Sequence, residues 1–122
     1  MINVKPIIYE ALKSVLNNVN DCYPKEWAKF PVVQYIEEEN RVHTKTDDVE
    51  QLTYLRYKID IWNKGSTSET ASAVDGVLSS LGFKRTFCCD APDPSGLKHK
   101  VMRYEGIIDK DMKYIFNWYG GI

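Results

Sequence analysis

The chain has 122 residues, of which 43% are hydrophobic and 27% charged, and its formal net charge is −1. This length predicts a single domain, residues 1–122, that buries a core without disulfide or metal staples. The balanced charge provides no general attraction to nucleic acid or membranes, and no apolar run approaches the roughly 20 residues that span a bilayer. Three cysteines, an odd number, fit reduced thiols. With no signal-peptide pattern in residues 1–6, a cytosolic protein is expected.

The first two elements are predicted to be a helix and a strand. Residues 4–19 indicate a helix, because apolar residues recur every three to four positions. Residues 31–39 are rich in β-branched and aromatic residues and predict a strand. Residues 40–48 are polar and are expected to form the turn at the exposed end of a long hairpin.

Residues 49–62 give the clearest strand, because two kinds of side chain alternate along them. One face is apolar and is expected to lie under a helix; it carries Leu55, Tyr57, Ile59 and Ile61. The other face is charged and is flanked by aromatics; it carries Tyr54, Arg56, Lys58, Asp60 and Trp62. Nothing else in the chain is long enough to cover this second face. It is therefore predicted to be a subunit or partner interface.

The sequence between Ser66 and Phe83 is predicted to form an amphipathic helix that covers the sheet. Ser66 and Glu69 have the spacing of a capping box at its start. Gly82 stands where the left-handed closing residue of a helix belongs. The apolar stripe of this helix consists of Ala73, Val74, Val77, Leu78 and Leu81.

Three further strands are predicted after this helix. The first covers residues 84–89 and places Phe83, Arg85, Phe87 and Cys89 on one side. The second covers residues 97–109. The last covers residues 112–119 and offers Trp118 and Tyr119 beside an edge that a neighbouring subunit could extend. In an alternative arrangement, this strand is an arm exchanged with another subunit.

The predicted element order is α-β-β-α-β-β-β. Short connections make neighbouring strands antiparallel, and two amphipathic helices can cover one face of such a sheet. The sequence therefore predicts a two-layer α+β fold with a mainly antiparallel sheet of four to five strands and two helices on one face.

A search for chemical motifs predicts no catalytic residue, cofactor or metal. His43 and His99 have no ligand-spaced partners, and the adjacent Cys88 and Cys89 point to opposite faces of a strand. The segment 90–96 resembles a calcium loop weakly, because prolines replace ligands and the distal Glu is missing. A basic cluster surrounds one hairpin and would suit nucleic acid only if it shared a face with aromatics. It consists of Lys84, Arg85, Lys98, His99, Lys100 and Arg103.

Two regions of the sequence carry a resemblance to a known family. One is the strand YKIDIW at residues 57–62, which runs into a helix ending LSSLGFKR at residues 78–85. The other is GLKHKVMRYE at residues 96–105. Their order and separation resemble the tail-completion proteins of long-tailed phages and prophages of Gram-positive bacteria, also called tail-terminator or head–tail joining proteins.

The resemblance implies a non-enzymatic virion protein at the junction of tail and head, assembled in the bacterial cytoplasm. Such a protein forms a ring, typically a hexamer, that caps the tail tube and meets the head connector, although isolated subunits can be monomeric. The implied partners are copies of the chain, the tail tube protein and the connector protein, without specific nucleic acid or membrane. Two other classes stay open: a nucleic-acid-binding module and a small enzyme with a site built from dispersed residues.

Overall fold

The computed structural model describes residues 1–111 and 115–116 of the chain. It contains two helices and a six-stranded sheet. In chain order the elements are α1 (Lys5–Lys13), β1 (Asn18–Asp21), β2 (Val32–Thr46), β3 (Val49–Asn63), α2 (Ser68–Leu81), β4 (Lys84–Ala91), β5 (Lys98–Asp109) and β6 (Ile115–Phe116). Both helices pack on one face of the sheet, so the fold is α+β as predicted.

The sheet has the strand order β1-β2-β3-β5-β4, and β6 pairs with β5 at Ile107 and Ile108, beyond the end of the β4 pairing. Among the strands of the described residues, only β1 and β2 pair in parallel. Strands β2 and β3 form one long hairpin that turns at Asp47 and Asp48, whose φ angles are 51° and 62°. This is the left-handed geometry that a two-residue hairpin turn requires. The turn predicted over residues 40–48 is therefore too long, because β2 continues to Thr46.

The first predicted helix, residues 4–19, is wrong at its carboxyl end. Helix α1 stops at Lys13, and the buried Val19 belongs to β1, which is opposite Val33 of β2. The Asn-rich sequence here favours helix weakly, and Asn20 instead donates a side-chain hydrogen bond to the Val33 carbonyl. Val15, predicted to lie on the apolar stripe, is exposed.

The core lies between the helices and the inner faces of β2, β3 and β5. The four apolar residues predicted for the covered face of β3 are all fully buried, as are Val74 and Leu78 of α2. Val77 and Leu81 are half-buried and pack against the same core. Two buried phenols satisfy their hydroxyls by donating to carboxylates, Tyr57 to Glu37 and Tyr104 to Asp75. In the described part of the chain, neither helix is long and apolar enough to cross a membrane.

The predicted capping box at the start of α2 does not form. Thr67 occupies the N-cap without a side-chain hydrogen bond to the helix, and Ser66 Oγ instead accepts from the Ser68 N–H. Glu69 lies in the first turn, where its charge favours the positive end of the helix dipole.

The predicted closing glycine of α2 is confirmed. Gly82 has φ 108°, and the Phe83 N–H donates to the Leu78 carbonyl while the Gly82 N–H donates to the Ser79 carbonyl. These two hydrogen bonds form the Schellman motif that ends many helices at a left-handed glycine. They also place Phe83 in the core, where it is 2% exposed.

Replacing Gly82 with alanine is expected to lower the free energy of unfolding by about 1–3 kcal/mol, because a left-handed residue with a Cβ is strained. A Cβ at this position would also lie 1.9 Å from the Ile115 carbonyl oxygen of β6. Gly76→Ala is the matched control, because a Cβ on this helical glycine meets nothing within 4 Å and should be neutral or stabilising. Equal effects of the two substitutions in urea unfolding would contradict this account.

Strand β4 has the predicted start but not the predicted side-chain pattern. A bulge leaves Thr86 as an extra residue, because Arg85 is opposite Tyr104 and Phe87 is opposite Arg103. Arg85 therefore lies on the helix-covered face of the sheet, whereas Phe87 and Cys89 lie on the other. The prediction that Phe83, Arg85, Phe87 and Cys89 share one side is wrong for this reason.

The last predicted strand, residues 112–119, is described only at Ile115–Phe116. These residues pair antiparallel with Ile107 and Ile108 of the same chain. Trp118 and Tyr119 lie outside the described residues.

Candidate assembly surface

The sheet face opposite the helices, called the open face below, carries the predicted interface. The register aligns the side chains of β3 here with those of β2 and β5, because residues directly opposite each other point to the same side. Its central members are Gln34, Glu38, Glu39 and Arg41 of β2, Tyr54, Arg56, Lys58, Asp60 and Trp62 of β3, and His99, Arg103 and Glu105 of β5.

The middle of the open face is an ion network centred on Arg56. Arg56 Nε lies 3.3 Å from Glu38 Oε1, and an outer nitrogen of the same guanidinium lies 3.1 Å from Glu39 Oε1. Arg103 reaches the same Glu38 oxygen at 3.0 Å from β5. The bulge between Glu37 and Glu39 allows both glutamates to face these arginines. These charged side chains are partly exposed and fixed in position across three strands.

One flank of this network is formed by Tyr54. Its ring lies 4.1 Å below the Arg41 guanidinium, and its hydroxyl donates to Glu105. Burial, reinforced by the Glu105 carboxylate, raises the pKa of Tyr54 to about 12, so the phenol stays protonated at neutral pH.

The other flank contains a buried carboxylate, Asp60. Gln34 donates to one of its oxygens at 3.0 Å, His99 Nε2 lies 2.8 Å from the other, and Lys58 is 3.6 Å away. Because the Asp60 side chain is only 2% exposed, these partners compensate the cost of burying its charge. Asp60 therefore holds the Gln34, His99 and Lys58 side chains in position from beneath the open face.

Trp62 stands at the end of this flank inside an aromatic stack. Its ring is parallel to that of His99, with 4.6 Å between centroids, and Trp27 meets its edge at 5.2 Å. Its indole N–H donates to Asp93 Oδ2 at 2.8 Å. Trp27 is held there because Asn18 donates to the Glu26 and Lys29 carbonyls, which lie on either side of Trp27 in the loop between β1 and β2.

The prediction that no other part of the chain covers this face is therefore wrong at its Trp62 end. The loop containing Trp27 and the loop containing Asp93 both reach it. Tyr54 and Asp60 are buried, at 5% and 1% exposure, and are unsuited to direct contact with a partner. Arg56, Lys58 and Trp62 remain partly exposed.

Sequence reasoning missed the residues that complete the surface. Glu38, Arg103 and His99 come from strands distant in sequence, and only the pairing register places them beside Arg56 and Asp60. The acidic run at residues 37–39 is one signal of this surface in the sequence. The bulge within that run could not be derived from the alternation of residue types.

The basic cluster of the β4–β5 hairpin does not form one cationic surface. Most of its basic side chains lie beside carboxylates from different parts of the fold: Arg85 with Asp75, His99 with Asp60, Lys100 with Asp90 and Arg103 with Glu38. Arg85 and Lys100 also lie on the face opposite to Arg103. This arrangement differs from the single charged stripe that tracks a nucleic-acid backbone.

A polar cavity of about 530 Å³ adjoins His99, between the start of α2 and the β4–β5 loop. Ser66, Ser68 and Asp93 contribute to its lining. Both ring nitrogens of His99 face carboxylates, Asp60 at 2.8 Å and Asp93 at 3.8 Å. A general base needs one ring nitrogen directed at the reacting proton, so this geometry favours a bridging histidine.

The segment that weakly resembles a calcium loop uses its carboxylates internally. Asp93 Oδ1 accepts from both the N–H and the hydroxyl of Ser95, its Oδ2 accepts from Trp62, and Asp90 pairs with Lys100. The residues described here contain no group of three or more His, Cys, Asp or Glu side chains arranged to hold a metal ion.

We expect protein purified without chelator to contain no stoichiometric zinc or iron. His43 is exposed and its ring lies beside the Thr44 hydroxyl. Cys88 and Cys89 are exposed and point to opposite faces of β4, so the two thiols do not converge on a common metal ion. Elemental analysis tests this expectation, and one metal ion per chain would overturn it.

The Asp93 contacts predict a pH-dependent contribution to stability. Hydrogen bonds from Ser95, and then from Trp62, lower the pKa of Asp93 below its usual 3.8. Because folding favours the charged form, the Asp93 carboxylate stabilises the folded protein fully above pH 3.8. This stabilisation is lost as the pH falls through the lower pKa of Asp93 in the folded state. The difference in unfolding midpoint between the wild type and Asp93→Asn, followed by tryptophan fluorescence, should shrink between pH 7 and about pH 2.5. An unchanged difference would contradict this assignment.

No known protein-family model and no curated protein sequence matches the chain.

Proposed function

We propose that the chain is a structural protein of a phage virion that caps the tail tube and joins it to the head connector as part of an oligomeric ring. Two features support the proposal. One is the resemblance of residues 57–62, 78–85 and 96–105 to tail-completion proteins. The other is the ion network of the open face, which is the observation that carries the proposal.

The network suits a contact with another protein subunit. Arg56, Arg103 and Glu38 alternate in charge and are held in register by three paired strands. A fixed charge pattern selects a complementary partner and sets its orientation, more than it adds affinity. The partly exposed Trp62, stacked on His99, adds the kind of aromatic anchor that is enriched at interfaces.

A ring requires that this face meet a different surface of the neighbouring subunit. Such a head-to-tail contact closes when the rotation between subunits permits it. In this proposal the surface works by shape and charge, the protein has no enzymatic activity, and ring subunits can wait as monomers until the tail tube provides a template.

The proposal is tested by deleting the gene from the phage or prophage that carries it. Negative-stain electron microscopy should then show filled heads and separate tails, and a plasmid-borne copy should restore joined particles. Normal joined virions in the deletion strain would refute the proposed function.

The alternative of a nucleic-acid-binding module receives less support, because Arg85, Lys100 and Arg103 of its candidate cluster lie beside carboxylates on two faces of the sheet. A salt-dependent mobility shift with DNA would favour it over the assembly role. The alternative of a small enzyme would rest on the cavity beside His99, whose two ring nitrogens face carboxylates.

A further inference from the structure

Strand β4 is an edge strand with an exposed outer side. The first seven of its eight residues are exposed, and in the described part of the chain no strand pairs with its outer edge. An edge of this kind offers backbone hydrogen-bonding groups to any extended chain. The side-chain order along β4 indicates which chain fits it.

The positions of β4 that pair with β5 form a run of seven, because the bulged Thr86 is left out. Their order is Lys84, Arg85, Phe87, Cys88, Cys89, Asp90 and Ala91. Cys88 is the central position of this run. A two-fold axis at Cys88 therefore overlaps all seven positions with those of a second copy, whereas any other centre shortens the overlap.

This register also places side chains of the same sheet face opposite each other and brings opposite charges together. Residues directly opposite each other across strands must point to the same side of a sheet. With Cys88 facing Cys88 of the second copy, Phe87 faces Cys89 on the open face, and Arg85 faces Asp90 on the helix-covered face. The Arg85 and Asp90 side chains are 50% and 82% exposed, so both are accessible to a second partner.

We propose that two copies of this chain join their β4 edges in antiparallel register about a two-fold axis at Cys88. Each Arg85 then contacts Asp90 of the other copy, and both already belong to ion pairs, Arg85 with Asp75 and Asp90 with Lys100. The contact creates two chains of four alternating charges and continues the sheet across both subunits. The dimer does not depend on the ring or on the virion role.

Charge reversal provides the first test. Arg85→Asp alone places carboxylates opposite Asp90, and Asp90→Arg alone places guanidinium groups opposite Arg85, so each variant should be monomeric. In a mixed dimer the two variants are complementary at both contacts, so an equimolar mixture should restore association. Light scattering over a concentration series measures this, with circular dichroism to confirm folding of each variant. Monomeric wild type at every concentration, or no recovery in the mixture, would overturn the proposal.

The native cysteines provide a second test with a matched control. Directly opposite residues lie within disulfide range, whereas diagonal ones are about 7–8 Å apart. Copper-catalysed oxidation should therefore cross-link a variant that retains only Cys88 roughly tenfold faster, or more, than one that retains only Cys89. Cys22 is replaced by serine in both. Equal rates, or a faster Cys89-only variant, would exclude this register.

Binding of a different extended protein segment to the β4 edge, with no self-association of this chain, would also exclude the dimer.

The contact area is expected to fall below the roughly 1,200–2,000 Å² of a standard stable interface, so the dimer should form weakly and with strong concentration dependence. Cross-linking traps this association. Normal virion assembly by a variant that no longer dimerises would leave the proposed ring function intact, so the two proposals can fail separately.

Discussion

Replacing Leu78 with alanine is expected to lower the free energy of unfolding by about 2–5 kcal/mol. Leu78 is fully buried in the core cluster that also contains Tyr57, Ile59 and Phe83. The substitution removes apolar contacts and leaves a cavity that the two packed layers can only partly fill. Urea unfolding, monitored by circular dichroism, measures the change.

Leu81→Ala is the control for this substitution. It removes the same atoms from the same helix, but Leu81 is only half-buried at the margin of the core, so its loss should be clearly smaller. A change below about 0.5 kcal/mol for Leu78→Ala would show that the stripe of α2 does not form the core described here.

Reversing the charge of Arg56 is expected to abolish head–tail joining while leaving the subunit folded. Arg56→Glu turns the centre of the network into a cluster of carboxylates beside Glu38 and Glu39, and a partner selected by the original pattern would meet the wrong sign. Trp62→Glu, which removes the aromatic anchor, should have the same effect. Complementation of a gene deletion, scored as infectious yield, measures both.

Two controls separate assembly from folding. Lys13→Glu makes the same charge reversal at an exposed position of α1, on the helix side of the fold, and should retain normal yield. Arg56→Gln removes the charge without adding a carboxylate and should give an intermediate yield. Circular dichroism must show each variant folded. Normal yield with both Arg56→Glu and Trp62→Glu would mean that the open face is not the joining surface.

The parts of the fold that local sequence determines were predicted well. The stripe of α2 and the alternation along β3 follow from side-chain periodicity, and Gly82 follows from the left-handed geometry that ends a helix. Each signal lies within a few residues of the structure that it predicts. The two-layer arrangement follows because the apolar stripe of α2 and the apolar face of β3 are both buried when they pack against each other.

The remaining features depend on contacts between distant residues. The bulges at Glu38 and Thr86 change which residues share a face, and alternation alone gave no sign of them. The placement of Val19 in β1 depends on its parallel pairing with Val33, although its spacing also fits a helix. The aromatic stack at Trp62 requires two loops whose paths the sequence did not predict.

The central claim is that this chain works at the junction of phage tail and head. Immunogold electron microscopy of purified virions, with antibodies raised against the isolated protein, tests it most directly. The account predicts gold particles at the head–tail junction and, on unjoined tails, at the end of the tube that would face the head. Label along the tube, on the baseplate or on the capsid, or virions without label, would contradict it.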